Sequence, residues 1–255
     1  MSEATPFAGK VAIVTGGSQG VGLGISRAFL RKGASVVSCA RKPFETHPAA
    51  TSDDERARAI HVQADVRNDA DIDRVIETTV ERFGRLDVLV NNAGGQPPAD
   101  IATASPRFIK AIIELNLTAP MVFAQKAYQV MSKQEDGGSI INISSQASMP
   151  VGSGGSLVPY GAAKAGLNHM TRSLAAAWGR KVRVNCVSLG WVETEAMADL
   201  LLPENREQWQ SVIDKIPVGR MGTPDEIGEI CAFLASDAAS YINGATIWTD
   251  GGGTS

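Results

Sequence analysis

A nearly continuous apolar run, Lys10 to Thr15, empties directly into the glycine cluster Gly16-Gly17-Ser18-Gln19-Gly20-Val21-Gly22. No other stretch of the chain restricts the fold as much. Such a run ending on glycine reads as a strand buried on both faces, which belongs in a parallel sheet. After the glycines, Leu23 to Lys32 carries apolar residues at helical spacing and stops at Gly33, and Ser35 to Ala40 is a second short β-rich run. Strand, glycine turn, helix and strand make the first half of a βαβ dinucleotide-binding unit. The glycines have a physical reason. A pyrophosphate held by backbone N–H groups at a helix N-terminus needs an approach that a Cβ would block. The pattern is Thr15-Gly16-x-x-x-Gly20-x-Gly22, and no window of the chain satisfies G-x-G-x-x-G.

The alternation continues to the end of the chain. Phe44 to Ala59 is polar and reads as a loop with a short helix. Ile60 to Ala64 is a third strand, followed by Asp65-Val66. Asn68 or Asp69 caps a helix that ends at Gly84. Leu86 to Val90 is a fourth strand, closed by Asn91-Asn92-Ala93-Gly94. A long helical stretch runs from Arg107 to about Met131, with Asn116 in its middle. Asparagine is a mediocre helix former, so its place there points to a task. Ser139 to Ser145, Lys181 to Val187 and Ala245 to Thr249 complete the strands, and a helix begins at Thr223-Pro224. This predicts a single-domain α/β Rossmann fold over residues 1–255, a doubly wound parallel sheet of about seven strands with helices on both faces. There is no internal repeat or linker. Residues 194–215, with Met197, Leu200, Leu201, Leu202 and Trp209, read either as a substrate lid or as a helix folded onto the core.

Two further places carry chemistry. Ligands in such sheets bind at the carboxyl ends of strands, where the fifth strand presents Ser144 and Ser145. After a Gly/Ser/Pro-rich loop come Tyr160 and Lys164, four residues apart and so on one helical face. A phenol titrates near pH ~10, and a fixed ammonium beside it lowers that value toward the range useful for acid–base work. At the end of the second strand, Arg41 and Lys42 stand where an acid would hold a ribose 2′-hydroxyl and an Arg would accommodate a 2′-phosphate. That favours NADP(H), with NAD(H) as the alternative.

Composition excludes other classes. Of 255 residues, 44% are hydrophobic and 20% charged, and the net charge is −3. No basic stripe suits nucleic acid or an anionic membrane. Cys39, Cys186 and Cys231, like His47, His61 and His169, are scattered without metal-ligand spacing, so no metal is expected. Without a signal-like N-terminus or a membrane-length apolar run, the chain reads as cytoplasmic.

Taken together, the chain resembles the short-chain dehydrogenase/reductases of the short single-domain type, including members similar to 3-oxoacyl-carrier-protein reductases. The motifs that carry the resemblance are the glycine cluster, Asp65-Val66, Asn91-Asn92-Ala93-Gly94, Asn116, Ser144-Ser145, Tyr160-x-x-x-Lys164, Tyr241-Ile242-Asn243-Gly244 and Asp250-Gly251-Gly252. They span about Gly9 to Gly253. The resemblance implies Tyr160 as the acid–base residue, with Lys164 lowering its pKa and binding the nicotinamide ribose. It implies Ser145, rather than Ser144, as the hydroxyl that polarises a carbonyl, and Asn116 as the holder of a relay water. It implies a cofactor lined by Gly16, Ser18, Gln19, Gly20, Val21, Gly22, Arg41, Asp65 and Val66 at the adenosine side. Asn92, Ala93, Gly94, Gly190, Val192 and Thr194 complete that lining, with Tyr160 and Lys164. The implied reaction is hydride transfer between NADP(H) and a ketone or secondary alcohol, neutral or apolar. An NAD-dependent alcohol dehydrogenase and a non-catalytic nucleotide-binding relative are the alternatives. The intact Asn116, Ser145, Tyr160 and Lys164 argue for the enzyme. Relatives are commonly homotetramers, built through the two long helices and the C-terminal segment; Ala162, Ala163, Gly166 and Ala175-Ala176-Ala177 would permit close helix contact. The chain departs from the family pattern at Leu189-Gly190, where Pro-Gly is usual. It departs again at Gln19, where NADP-preferring members are often basic, and in a longer loop between Ser145 and Tyr160.

Overall fold

The computed structural model describes residues 5–149, 154–195, 197 and 206–253. Among these residues, the apolar runs become seven strands. They are β1 (Val11–Thr15), β2 (Ser35–Ala40), β3 (Ala59–Gln63), β4 (Val88–Asn91), β5 (Gly138–Ser145), β6 (Val182–Leu189) and β7 (Thr246–Thr249). They form one sheet in the order β3-β2-β1-β4-β5-β6-β7, with every neighbouring pair parallel. The chain moves outward from β1 to β3, then returns to place β4 on the other side of β1. The reversal opens a crevice at the carboxyl ends of β1 and β4, the place where open α/β sheets bind ligands.

The helices are α1 (Gly20–Arg31), α2 (Asp53–Arg58), α3 (Asp69–Phe83), α4 (Pro106–Ile113), α5 (Ala119–Met131), α6 (Val158–Trp178), α7 (Arg206–Ile213) and α8 (Pro224–Ala235). Because successive strand residues face opposite ways, each strand feeds two cores. Ala12, Val14, Val36, Val90, Ile141 and Val187 pack under Ile25, Phe29 and Leu30 of α1 and Ile227 and Leu234 of α8. Ile13, Val37, Leu89, Ile140 and Val184 pack under Ile72 and Val75 of α3 and Phe123, Ala127 and Met131 of α5. Each fully buried Leu, Ile or Phe contributes about 1.5–3 kcal/mol, so helices are held firmly to both faces.

Polar groups inside the second core fix the registry of the helices. Asn91 Nδ2 donates to Pro120 O (3.1 Å) and to Asn142 Oδ1 (2.9 Å). Asn142 Nδ2 donates in turn to Thr171 Oγ1 on α6 (2.9 Å). This buried chain ties the start of α5 and the middle of α6 to the central strands, since a mismatch would leave unsatisfied amides. At the amino ends of the strands, the carboxylate of Asp87 accepts from Val11 N (2.9 Å) and pairs with Arg85 (2.6 Å) and Lys10 (3.4 Å).

The expected long helix from Arg107 to Met131 is interrupted. Glu114–Thr118 is a π turn between α4 and α5, and Asn116 lies within it. Helix α1 starts at Gly20, earlier than expected, because the last glycines of the cluster already belong to its first turn. The capping box of Ser52 and Glu55 shapes the short α2. Among the described residues, no helix is long and apolar enough to cross a membrane, and no cluster of His, Cys, Asp and Glu is arranged to hold a metal.

Candidate active site

A cleft of about 750 Å³ runs across the crevice at the carboxyl ends of the strands. Its first wall is the turn between β1 and α1. Gly22 is there by necessity, since a Cβ would lie 2.1 Å from Gly16 O. The turn is braced from β4. Thr15 Oγ1 accepts the N–H groups of Asn92 and Ala93 (2.9 Å each), and Asn92 Nδ2 donates to Thr15 O (2.9 Å). Asn92 lines the cleft, yet its amide is spent on holding the glycine turn. Gly16, Gln19, Gly20 and Val21 line this wall with Gly22. Ser18 is buried and is not among the residues lining this wall.

The wall at the end of β2 and β3 is made by Cys39, Ala40, Arg41, Ala64, Asp65, Val66 and Arg67. Arg41 is exposed, and among the described residues no carboxylate forms an ion pair with it. Asp65 is held bidentately by Arg67, Nε to Oδ1 at 3.0 Å and Nη2 to Oδ2 at 2.6 Å. This guanidinium holds the Asp65 carboxyl below the usual carboxylate range. The pair fixes the orientation of the carboxylate at the cleft wall and leaves each oxygen a further lone pair.

The opposite end gathers the candidate catalytic groups. Ser145 closes β5, and Tyr160 and Lys164 stand on the first turns of α6. All three line the cleft. Tyr160 N–H, in the uncapped first turn of α6, donates to Gln96 Oε1 (3.1 Å), while Gln96 Nε2 donates to Ser156 O (2.8 Å). The loop after β4 thereby fixes where Tyr160 enters its helix. Ser144 Oγ turns inward and donates to Lys164 O (3.3 Å), whereas Ser145 Oγ accepts the Ala147 N–H (3.2 Å) and stands near enough to the Tyr160 phenol to lower its pKa. That division favours Ser145 as the hydroxyl facing a substrate.

Lys164 is almost wholly buried, and its Nζ donates to Ile143 O (2.7 Å). Burial brings its pKa down to about 8. The ammonium lies 5.5 Å from the centroid of the Tyr160 ring. Burial also pushes the Tyr160 phenol above its ordinary value, with the nearby Ser145 hydroxyl acting in the other direction. The expected lowering of the Tyr160 pKa by Lys164 is therefore absent from the protein's own field. At this separation the ammonium is committed to a backbone carbonyl, and desolvation of the phenol dominates.

Asn116 does not line the cleft. It is fully buried one layer behind, where Oδ1 accepts Gly95 N–H (2.8 Å) and Nδ2 donates to Gly95 O (3.0 Å) and Ile112 O (2.9 Å). The π turn makes this arrangement, because its i→i+5 pattern sets the side chain against the loop after β4. Gly94 fills the gap between Asn116 and Lys164; a Cβ there would meet Asn116 Oδ1 at 2.7 Å and Lys164 Nζ at 3.2 Å.

Ala93, Gly94, Gly190, Val192 and Thr194 complete the lining as expected, joined by Leu115, Trp191, Glu195 and Met197. Of the suggested lid at 194–215, residues 196 and 198–205, including Leu200, Leu201 and Leu202, lie outside the described residues. Trp209 on α7 is buried and packs edge-on against Trp191, ring centroids 5.0 Å apart. Ile216 and Met221 join it in a small core of their own. Arg67, Gln96, Leu115 and Glu195 are among the contributors that escaped the sequence reading. Glu195 reaches the cleft across 175 residues to accept Gly20 N–H at 3.0 Å.

The donor set fits a dinucleotide. The start of α1 already accepts an oxyanion, Glu195 Oε2, at an N–H facing the cleft, and an unpaired cation stands at the far end.

Comparison with known proteins places this geometry. Residues 16–254 match the family described as Enoyl-(Acyl carrier protein) reductase. The chain is 36% identical to L-fucose dehydrogenase of Oryctolagus cuniculus over 99% of its own length and 87% of the relative. It is 35% identical to a probable 2,4-dienoyl-CoA reductase of Bacillus subtilis over 95% and 96% of the two chains. A solved structure of a putative short-chain alcohol dehydrogenase from Sinorhizobium meliloti superposes with a TM-score of 0.86 at 36% identity, covering 98% of each chain.

Proposed function

The chain belongs to the short-chain dehydrogenase/reductase family, and from that premise we propose that it is an NADP(H)-dependent oxidoreductase interconverting a ketone and a secondary alcohol. The observation that carries this reading is the unbroken cleft from Arg41 at the end of β2 to Ser145, Tyr160 and Lys164 beside β5. When bound, the nicotinamide supplies or accepts the hydride. Everything else falls to the chain's own residues. Arg41 offers a guanidinium suited to a 2′-phosphate, and the N–H of Gly20 and the loop at Thr194 face the phosphates. Lys164, buried beside Tyr160, presents its ammonium toward the ribose side of the cleft.

Tyr160 gives a proton to the carbonyl oxygen in reduction and takes it back in oxidation. The phenol is protonated at neutral pH, so it carries the proton that reduction needs; its burial makes it a weaker acid, and charge developing on the carbonyl oxygen has to draw the proton across. The Ser145 hydroxyl, beside that phenol, steadies the oxygen as negative charge develops on it. Asn116 acts from behind, holding the Gly95 backbone and with it the loop that borders Lys164; a water relay through it is part of the same reading.

The substrate side, bordered by Trp191 and Met197, suits a neutral or apolar carbonyl compound. The described part of the 194–215 segment, with Thr194, Glu195 and Met197 in the cleft wall, is read as its cover within one functional unit. A cytoplasmic homotetramer is the assembly in keeping with this reading. Ala162, Ala176 and Ala177 are exposed on α6, while Ala163 and Ala175 pack inward.

The test is a panel of ketones with NADPH, followed by loss of reduced-cofactor absorbance. Wild type is expected to turn over at least one neutral ketone, and Tyr160→Phe to keep NADPH affinity with turnover reduced at least about 100-fold. A Tyr160→Phe protein that reduced the same ketone at the wild-type rate would refute the assignment.

A further inference from the structure

Helix α1 has twelve residues and begins at the cleft, yet it lacks an anion of its own. Its N-cap, Gln19, makes no side-chain cap bond, and its first turn contains no acid. The helices α2 and α8, by contrast, open on complete capping boxes. The missing anion comes from the far side of the cleft. Glu195 Oε2 accepts the Gly20 N–H at 3.0 Å. Thr194 lies against the same glycine, for a Cβ on Gly20 would be in ordinary contact with Thr194 Cγ2 at 3.4 Å and Glu195 Oε2 at 3.8 Å. Among the described residues, Glu195 forms no ion pair. Gly20, Thr194 and Glu195 all line the cleft.

We propose that Glu195 is an internal competitor for the cofactor's pyrophosphate, so that this one carboxylate sets how tightly the dinucleotide is held. The inference rests on the dinucleotide reading of the cleft. A helix N-terminus attracts anions through its free N–H groups and its dipole, and one N–H at hydrogen-bonding distance cannot serve two oxyanions at once. The diphosphate therefore binds only to the fraction of molecules in which Glu195 has left. The measured affinity is lowered by that fraction. Once displaced, the carboxylate remains near a doubly charged group and repels it.

The experiment titrates wild type, Glu195→Gln and Glu195→Ala with NADPH, with inorganic pyrophosphate and with adenosine, at fixed ionic strength. Intrinsic tryptophan fluorescence provides the signal, since Trp191 lines the cleft. Both variants are expected to bind NADPH and pyrophosphate about 3- to 10-fold more tightly than wild type. Adenosine, which has no phosphate, is expected to bind all three proteins equally. Two variants of different size guard against an effect of shape alone. If wild type binds NADPH and neither variant binds it more tightly, the competition is refuted and the dinucleotide reading stands. If adenosine affinity rises as much as that of NADPH, the effect is not at the phosphates and the inference is again overturned. If none of the three proteins binds NADPH or NADH, the dinucleotide reading itself fails, and the inference with it.

Discussion

Replacing Lys164 with Met should make the protein more stable at neutral pH while disabling its cleft. The ammonium is buried, and its pKa falls from the ordinary 10.5 to about 8. That displacement corresponds to about 3 kcal/mol opposing the folded state when the group is charged. Methionine, of similar length and without charge, removes the opposition. It also removes the 2.7 Å bond to Ile143 O, and a buried carbonyl left short of a donor costs about 1–2 kcal/mol. The balance is a gain of about 1–2 kcal/mol at pH 7, or about 2–6 °C in Tm for a chain of this size. The pH dependence is the sharper signature. Between pH 8 and 10.5 the folded state has released the Lys164 proton while the unfolded chain still holds it. The stability that wild type draws from this group therefore rises with pH in that window. Thermal melts of both proteins from pH 7 to 10 should show the Lys164→Met advantage shrinking steadily above pH 8, together with loss of cofactor affinity. A variant less stable than wild type at pH 7, with a gap constant up to pH 10, would refute the reasoning. Lys164 would then be a structural tie rather than a group kept for function at the expense of stability.

Other perturbations follow from the same geometry. Asn116→Ala strips partners from both polar groups of Gly95 and from Ile112 O; chemical unfolding should show a loss of about 2–4 kcal/mol, with turnover lost more than cofactor affinity. Asp87→Ala leaves Val11 N–H and the Arg85 guanidinium without their buried partner, and denaturation should register about 3 kcal/mol of destabilisation with the cleft unaffected. Glu226 is held down to about 2 by Arg220 and by the Thr223 N–H it caps. Its contribution is present above pH 4.5 and disappears as pH falls through about 2. Because the pair is half exposed, Glu226→Gln should cost only about 1 kcal/mol at pH 6, and calorimetry should find no difference from wild type near pH 2.

The central strands were legible as short apolar runs, and β1, β4 and β6 also stop at or just before glycine or asparagine (Gly16, Asn91 and Gly190); a two-sided buried strand needs little else to declare itself. The order of the strands was not, since nothing local tells β4 to lie beside β1. The π turn was half legible. Asn116 was conspicuous as a poor helix former, but the widened turn exists only because the loop after β4 docks against it. Asp65 lines the cleft where it was expected, but its bidentate partner Arg67, two residues on, was not foreseen. The chemistry of Tyr160 and Lys164 was legible as a pair, but not the balance between them. Spacing places an ammonium near a phenol without saying that Ile143 O takes the ammonium first. Glu195 was beyond reach, because its contact with Gly20 is purely tertiary.

Side-by-side titration of the wild-type protein and Arg41→Ala with NADPH and NADH, read by fluorescence, bears most directly on the claim that this cleft is built for NADP(H). Wild type should bind NADPH at least about 10-fold more tightly than NADH, in line with loss of a charge-assisted contact worth about 1.5–3 kcal/mol. Arg41→Ala should erase that preference while leaving NADH affinity unchanged. Tighter binding of NADH by wild type, or a preference for NADPH that survives in Arg41→Ala, would contradict it.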